Sequence, residues 1–381
     1  MTSRLAVTPL RYHPDVEHIQ PDEPQTARDL AETVLSIAQK TYADSGHATR
    51  SVHAKSHGLL AARLEILLDL PRELAQGIFA DPLGYEAVVR FSTTPGDLFH
   101  DSVSTPRGMA VKVLNVEGAR LPGSEGSTSQ DFVLVNGRAF NSSNGKAFLR
   151  NLKMLALTTD RLEGTKEMLS KVLKGLESVV EAAGGESAML KSLGGNPQTH
   201  ILGESFFSQL PLRHGDHVAK IAVVPASDNL RALAGTRLDT SEDPDVIRHE
   251  VERFFAEQTA VWHLQVQLCT DLAEMPVEGV ETWDEKKSPF VTIARLVAEP
   301  QPAWTEARSQ AVDDGMHFSP WNGIEAHKPL GAIMRLRKLA YEKSAAFRSQ
   351  RNATSVVEPL SCPFAESGAG QKSASLANGE Q

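Results

Sequence analysis

The chain has 381 residues, with 39 lysines and arginines against 48 aspartates and glutamates, which gives a formal net charge of −9 at pH 7. This acidic balance argues against nucleic acid or an anionic membrane surface as the main partner. No apolar run approaches the roughly 20 residues of a membrane span, and the N-terminal residues lack a signal-peptide pattern. The two cysteines, Cys269 and Cys362, are too far apart in sequence to indicate a disulfide framework or a zinc site. We therefore expect a cytoplasmic protein.

Helix and strand patterns are mixed along the chain. A first helix is predicted near residues 27–42, because Leu30, Val34 and Ile37 share one face. Strands dispersed over about 200 residues, without regular strand–helix alternation, favour an antiparallel barrel over a doubly wound sheet. In the last of them, polar and apolar residues alternate, which indicates one dry and one polar face. The predicted strands are 109–114, 132–135, 218–224 and 261–268.

Two further segments define the predicted domain. Leucines and methionines at helical spacing predict a helical insertion over about residues 145–185, which the pair Gly184-Gly185 ends. From about Asn352 the chain is rich in serine, glycine and alanine, as is typical of loose termini. The sequence therefore predicts a single domain over residues 1–351 and a flexible C-terminal tail over residues 352–381.

The last predicted helix, near residues 330–352, contains no proline. Arg337, Tyr341 and Arg348 are separated by steps of four and seven residues and fall within roughly 60° of arc on one helical face. An arginine one turn before a tyrosine can hydrogen-bond the phenolate oxygen and favour its charged form. Stabilising a phenolate at neutral pH takes on the order of 4 kcal/mol, which a metal plus a guanidinium can supply. The alternative is an amphipathic surface helix with solvated arginines.

Three motifs in the first third of the chain accompany this helix. They are Arg50-Ser51-Val52-His53-Ala54-Lys55-Ser56-His57-Gly58, Val89-Arg90-Phe91-Ser92-Thr93-Thr94-Pro95-Gly96 and Thr105-Pro106-Arg107-Gly108-Met109-Ala110-Val111-Lys112. Together with the helix they resemble the haem catalase family over roughly residues 53–348, and most closely its small catalase-related haem proteins. The resemblance implies an α+β fold, in which helices and a helical insertion surround a catalase-like antiparallel β-barrel.

The resemblance also implies a ferric haem b cofactor, with Tyr341 as the iron ligand. His53 matches the distal histidine, and its ordinary pKa near 6.5 suits acid–base catalysis at neutral pH. The buried propionates of the haem would pair with arginines. The cofactor-binding residues that the resemblance implies are Arg50, Val52, Arg90, Arg337, Tyr341 and Arg348. We leave Arg107 outside the site as a structural residue, and a zinc site at His53 and His57 is disfavoured because the HExxH pattern is missing.

The sequence departs from catalases at two places. Catalases carry a distal asparagine before the strand predicted here at 132–135, whereas this chain has Thr128-Ser129-Gln130-Asp131. Ser129 and Gln130 are candidates to substitute for it; Asn136 lies too far along to match, although a register shift in the gapped comparison would bring another residue into place. Peroxide disproportionation should be weakened by the replacement. After the tyrosine, Glu342-Lys343-Ser344-Ala345 replaces the proline and the threonine–histidine pair of catalases.

Three functions are compatible with these residues. The first is a haem-dependent peroxidase or weak catalase that acts on hydrogen peroxide or organic hydroperoxides, with an organic reductant or a second peroxide closing the cycle. The second is an allene oxide synthase-like enzyme that rearranges or dehydrates fatty-acid hydroperoxides. The third is a non-enzymatic haem or lipid carrier. The sequence leaves open the physiological substrate, nicotinamide binding and whether the chain forms a homo-oligomer.

Overall fold

The computed structural model describes residues 7–159 and 198–364. Within them, nine strands run in chain order: β1 (Lys55–Ile66), β2 (Gly84–Thr93), β3 (Arg107–Val113), β4 (Gln130–Val135), β5 (Phe206–Phe207), β6 (Leu212–His214), β7 (His217–Pro225), β8 (Ala260–Leu268) and β9 (Val291–Ala298). The α-helices of the same part of the chain are α1 (Glu23–Ser45), α2 (Gly145–Thr159), α3 (Asp228–Ala232), α4 (Val246–Phe255), α5 (Glu306–Ser309) and α6 (Ala332–Arg351).

Eight of these strands close into an antiparallel barrel. Neighbouring strands follow the order β5-β4-β3-β2-β1-β9-β8-β7, and a pairing between β5 and β7 closes the ring, while β6 extends it beside β7. Buried and partly exposed residues alternate over most of β8, as the sequence pattern predicted. The predicted α+β fold with an antiparallel β-barrel is therefore confirmed.

The inside of the barrel is a packed apolar core. Phe91, Phe206 and Trp262 are fully buried, and they pack against aliphatic side chains from all around the barrel. Because successive residues of a strand point to opposite faces, Arg90 and Ser92 lie on the outer face of β2. The polar residues of this outer face are therefore available to a site between the barrel and the helices.

Helix α6 is fixed at its start by acidic side chains. Glu17 accepts a hydrogen bond from the backbone N–H of Gly331, and Glu278 accepts one from Ala332, so two N–H groups at the helix start are satisfied. Arg335 of α6 then binds the carboxylates of Glu17, Glu23 and Glu278. The helix spans nearly the predicted range and packs against α1, which in turn packs against α2.

Two segment predictions remain, the helical insertion over about residues 145–185 and the C-terminal tail over residues 352–381. Helix α2 begins at Gly145 where the insertion was predicted, but residues 160–185 lie outside the described part of the chain. At the start of the predicted tail, Glu358 binds the buried Lys112, and Cys362 is buried. These two contacts attach the segment to the barrel at Glu358 and Cys362, and Glu358 joins Asp131 as a counter-charge for the buried Lys112. In the described residues, no helix is long and apolar enough to cross a membrane.

Candidate functional site

A cavity of about 370 Å³ lies between the outer face of β2–β4 and helices α1, α2 and α6. Its volume falls within the usual range for cofactor and ligand sites. Its lining is mostly apolar, and it brings together the histidine, the tyrosine, the valine and the four arginines that the sequence predicted as catalytic, iron-ligating or cofactor-binding residues. Those residues are Arg50, Val52, His53, Arg90, Arg337, Tyr341 and Arg348.

The helical wall of the cavity carries Tyr341. Because Arg337 lies one turn earlier on the same face, its Nη2 donates a 2.6 Å hydrogen bond to the Tyr341 hydroxyl oxygen. The small residues Ala340, Ser344 and Ala345 line the cavity around the tyrosine and leave room beside its ring. Ser344 Oγ lies 3.0 Å from Ser51 Oγ, so a hydrogen bond ties α6 to the loop that carries His53.

On the barrel wall, His53 occupies a constrained position. Its backbone φ of 56° is in the left-handed region, and its Nδ1 lies 3.3 Å from Ser92 Oγ. A Cβ atom at Gly108 would lie only 2.7 Å from the same Nδ1, so the lack of a side chain there makes room for the imidazole. Burial and the charges of Arg90 and Arg337 lower the pKa of His53 to about 3. The imidazole is therefore held neutral, rather than titrating near neutral pH as expected from the sequence.

Two arginines bind Asp313, which lies in a π-helical turn over Gln310–Asp314, and a third, Arg348, binds the nearby Met316. Arg50 Nη1 and Arg90 Nε lie 2.9 Å and 2.8 Å from its Oδ1. Arg50 Nη2 and Arg348 Nη2 both donate to the Met316 carbonyl oxygen. Burial would raise the pKa of Asp313, but Arg90 and Arg50 outweigh it and hold the pKa at about 2.

The cavity has an excess of positive charge. Four arginines line it, whereas no aspartate or glutamate does so in the described part of the chain. Arg348 Nε is buried and has no hydrogen-bond partner within the described residues, and burial lowers the pKa of this arginine to about 10. Because a buried donor without a partner is costly, the arrangement favours an anionic ligand with buried carboxylates or comparable acceptors.

The proposed substitutes for a distal asparagine lie elsewhere. Ser129 Oγ donates to Glu358, and Gln130 Oε1 accepts from the Ile324 N–H, so both belong to packing away from the cavity. The cavity meets the opposite end of β4, at Val135. Asn136 follows directly but turns its side chain to Glu204. The expectation for Ser129 and Gln130 was therefore wrong, because it placed the wrong end of the strand at the site.

Several lining or supporting residues were not predicted. Asn141, Asn151 and His317 line the cavity, and Asp313 binds two of its arginines, Arg50 and Arg90. Ser92 lies in the motif over residues 89–96 and Gly108 in the motif over residues 105–112. Membership of these motifs was the only sign in the sequence that the two residues belong to the site. Two residues that the sequence analysis set aside are indeed not part of the lining: Arg107 is paired with Glu204, and His57 Nε2 lies 2.9 Å from Thr93 Oγ1.

Comparison with known proteins places this cavity in a known fold. No family model matches the chain, and no curated protein matches its sequence. A fungal catalase structure is similar with a TM-score of 0.56 at 16% sequence identity, and the match covers 100% of this chain and 75% of the catalase. Catalase A from Saccharomyces cerevisiae is similar with a TM-score of 0.59 at 15% identity, over 96% and 71% of the two chains. The chain thus has the catalase fold.

Proposed function

We propose that this protein is a haem-dependent oxidoreductase that reacts with peroxides, as a peroxidase or weak catalase. One observation carries the proposal: a tyrosine whose hydroxyl accepts a 2.6 Å hydrogen bond from an arginine shares a cavity with a neutral, buried histidine. A supported tyrosinate is a strong anionic donor for ferric iron, and a neutral imidazole can accept a proton from peroxide.

The residues present fit a ferric haem b. Tyr341 would ligate the iron, and Arg337 would stabilise its phenolate by the hydrogen bond to the hydroxyl oxygen. The propionates would meet a cavity that carries four arginines, among them Arg348 with its unpartnered Nε. Arg50 and Arg90 already bind Asp313, so we assign them to forming the cavity wall and adding positive charge near the propionates. Val52 contributes apolar surface beside His53.

Bound haem would supply the electrons that cleavage of the peroxide O–O bond requires, and an organic reductant or a second peroxide would restore them. His53 Nδ1 faces Ser92, which leaves Nε2 as the nitrogen for the substrate. Because the imidazole is neutral, Nε2 can take the proton from one oxygen of peroxide and return it to the other oxygen, which then leaves as water or an alcohol. Of the three amide side chains in the lining, Asn151 already donates to Ser142 and Gln209 to Gly137 and Ala139, so Asn141 is the candidate for contact with the second oxygen.

The test is to load the purified protein with haem and add hydrogen peroxide while recording absorption and oxygen release. A weak catalase or peroxidase should change its spectrum within seconds of peroxide addition, and an added phenolic reductant should restore the starting spectrum. Haem that stays bound but does not react with hydrogen peroxide or organic hydroperoxides would contradict the proposal and favour a carrier.

The cavity also supports a second candidate, the allene oxide synthase-like conversion of fatty-acid hydroperoxides. Apolar residues of α1 and α2 extend the lining beyond the tyrosine and histidine and could accommodate an acyl chain: Leu30, Val34, Phe148, Leu152 and Leu155. The same experiment separates the two candidates. Fast consumption of a fatty-acid hydroperoxide without oxygen release or reductant turnover would favour the second.

A further inference from the structure

The described end of the chain reaches a buried polar cluster behind the cavity. Glu358 Oε2 accepts hydrogen bonds from Lys112 Nζ at 2.7 Å, Ser129 Oγ at 2.5 Å and Asn322 Nδ2 at 3.1 Å. Lys112 is fully buried and also binds Asp131. Because three donors from different elements converge on one oxygen, the Glu358 carboxylate has a fixed position.

The second oxygen of this carboxylate faces the cavity wall. Glu358 Oε1 is buried and has no hydrogen-bond donor among the described residues, although His317 Nδ1 lies 3.1 Å away. His317 lines the cavity, and 31% of its side chain is exposed. Since Nδ1 faces Glu358, Nε2 is the polar atom left for a ligand. A protonated imidazole would bind Oε1 and present a charged donor to the cavity.

The charges around His317 decide when it is protonated. Burial lowers the pKa of His317 to about 4, and the positive charges of Lys112, Arg348 and Arg50 act in the same direction. The negative charge of Glu358 raises the pKa but does not outweigh them. The imidazole is therefore neutral while the cavity holds no anion. A ligand carboxylate beside Nε2 would add negative charge and favour uptake of one proton from solvent. The imidazolium would then lie between two carboxylates.

We propose that His317 and Arg348 together bind a ligand carboxylate at this side of the cavity, with Glu358 as the positioning residue of the imidazole. The buried, unpartnered Nε of Arg348 is the second donor, and Arg348 Nη2 is fixed by the carbonyl oxygen of Met316, the residue before His317. The inference rests on the proposed haem function. The carboxylate has two possible sources with the same chemistry, a propionate of haem or the acid group of a fatty-acid substrate.

The test is to titrate the haem-free full chain with haem and, separately, with haem dimethyl ester, and to follow the absorption. In His317→Phe, the affinity for haem should fall roughly 10-fold relative to the wild type, the scale of one charge-assisted hydrogen bond. The affinity for the ester should not change, which separates carboxylate recognition from the added bulk. His249→Phe is the matched control, because His249 is an exposed histidine paired with Asp243 outside the cavity lining.

Glu358→Gln provides a second, pH-dependent readout. In the wild type, haem affinity should rise as the pH falls from 8 to 5, because binding takes up a proton at His317. Glu358→Gln should flatten this rise without removing haem binding. The nearby Asp131, whose pKa burial raises to about 7 despite Lys112, also titrates in this range. Only the part of the pH-dependent rise in haem affinity that disappears in His317→Phe is therefore attributed to His317.

The outcomes are distinct. If His317→Phe weakens the binding of haem but not of haem dimethyl ester, the propionate is the carboxylate that His317 recognises. If haem affinity is unchanged but haem-loaded His317→Phe binds a fatty acid more weakly, with no change for its methyl ester, the substrate acid is recognised. The inference would be overturned if His317→Phe and His249→Phe had the same affinities for haem, for the fatty acid and for their esters. It would also be overturned if His317→Phe lost as much affinity for each ester as for the corresponding acid. Failure of the wild type to bind haem would instead refute the proposed function.

Discussion

Asp313 is the negative charge around which the arginines of the cavity are arranged. Its Oδ1 accepts hydrogen bonds from Arg50 and Arg90, and its Oδ2 accepts them from Ser56 and Ser309. The change Asp313→Asn keeps the size of the side chain and one acceptor oxygen but removes the charge. Two buried guanidinium groups then repel each other without compensation, so the haem-free protein should lose stability.

The magnitude follows from the pKa of Asp313. Its value of about 2 in the folded protein, against an ordinary 3.8, corresponds to about 2 kcal/mol of stability at neutral pH. The side chain is only 17% exposed, so solvent screening reduces this value little. Because the folded pKa is lowered, the contribution is complete well above pH 3.8 and is lost as the pH falls towards 2. About half should remain at pH 3.

Urea unfolding of the haem-free protein at pH 7 measures this loss directly. Asp313→Asn should lower the free energy of unfolding by about 2 kcal/mol. The neighbouring Asp314→Asn should lower it by less than about 1 kcal/mol, because Asp314 pairs with the exposed His47. Haem should narrow the difference between Asp313→Asn and the wild type, since its propionates would restore negative charge near the arginines. An Asp313→Asn variant as stable as the wild type, or a loss that does not shrink between pH 5 and 3, would refute the reasoning.

Three further changes test other parts of the site and its support. His53→Ala should keep haem bound but slow the reaction with peroxide by roughly 10²- to 10⁴-fold in stopped-flow absorption; in the wild type the rate should not fall between pH 8 and 5, since the His53 pKa is about 3. Gly108→Ala would place a Cβ atom 2.7 Å from His53 Nδ1, so the displaced imidazole should slow the same reaction roughly 10- to 100-fold at unchanged haem content. Arg335→Leu removes the guanidinium that pairs with three carboxylates at the start of α6, of which Glu17 keeps Lys328 as a partner, and should cost about 3 kcal/mol in urea unfolding. The control Lys338→Leu on the same helix removes only an exposed pair and should stay within about 0.5 kcal/mol of the wild type; a similar loss for both would contradict the assigned role of Arg335.

Local patterns predicted the parts of the site that helix and strand geometry alone determine. The pairing of Arg337 with Tyr341 follows from a four-residue step on one helix, so the sequence was sufficient to predict their contact. Motifs around His53 and Arg90 likewise carried enough local information to place both residues in the cavity. The barrel could be predicted because alternation in segments such as β8 reflects one buried face.

The remaining parts depend on contacts between distant segments. Asp313 meets Arg50 across 263 positions of the chain, and Glu358 meets Lys112 across 246, and neither pair leaves a periodic pattern. No pattern in the sequence therefore indicated that Glu358 contacts the barrel. The error at Ser129 has a different cause: a six-residue strand spans roughly 17 Å, so choosing the wrong end of β4 moved the expected residue out of the cavity.

The proposed ligation of a haem iron by Tyr341 is tested by a haem titration of Tyr341→Phe, followed by absorption. The wild type should bind one haem per chain with a tyrosinate-type ferric spectrum. Tyr341→Phe should lose that spectrum and most of the bound haem, whereas Tyr12→Phe, outside the cavity lining, should behave as the wild type. An unchanged spectrum and haem content in Tyr341→Phe would contradict the account.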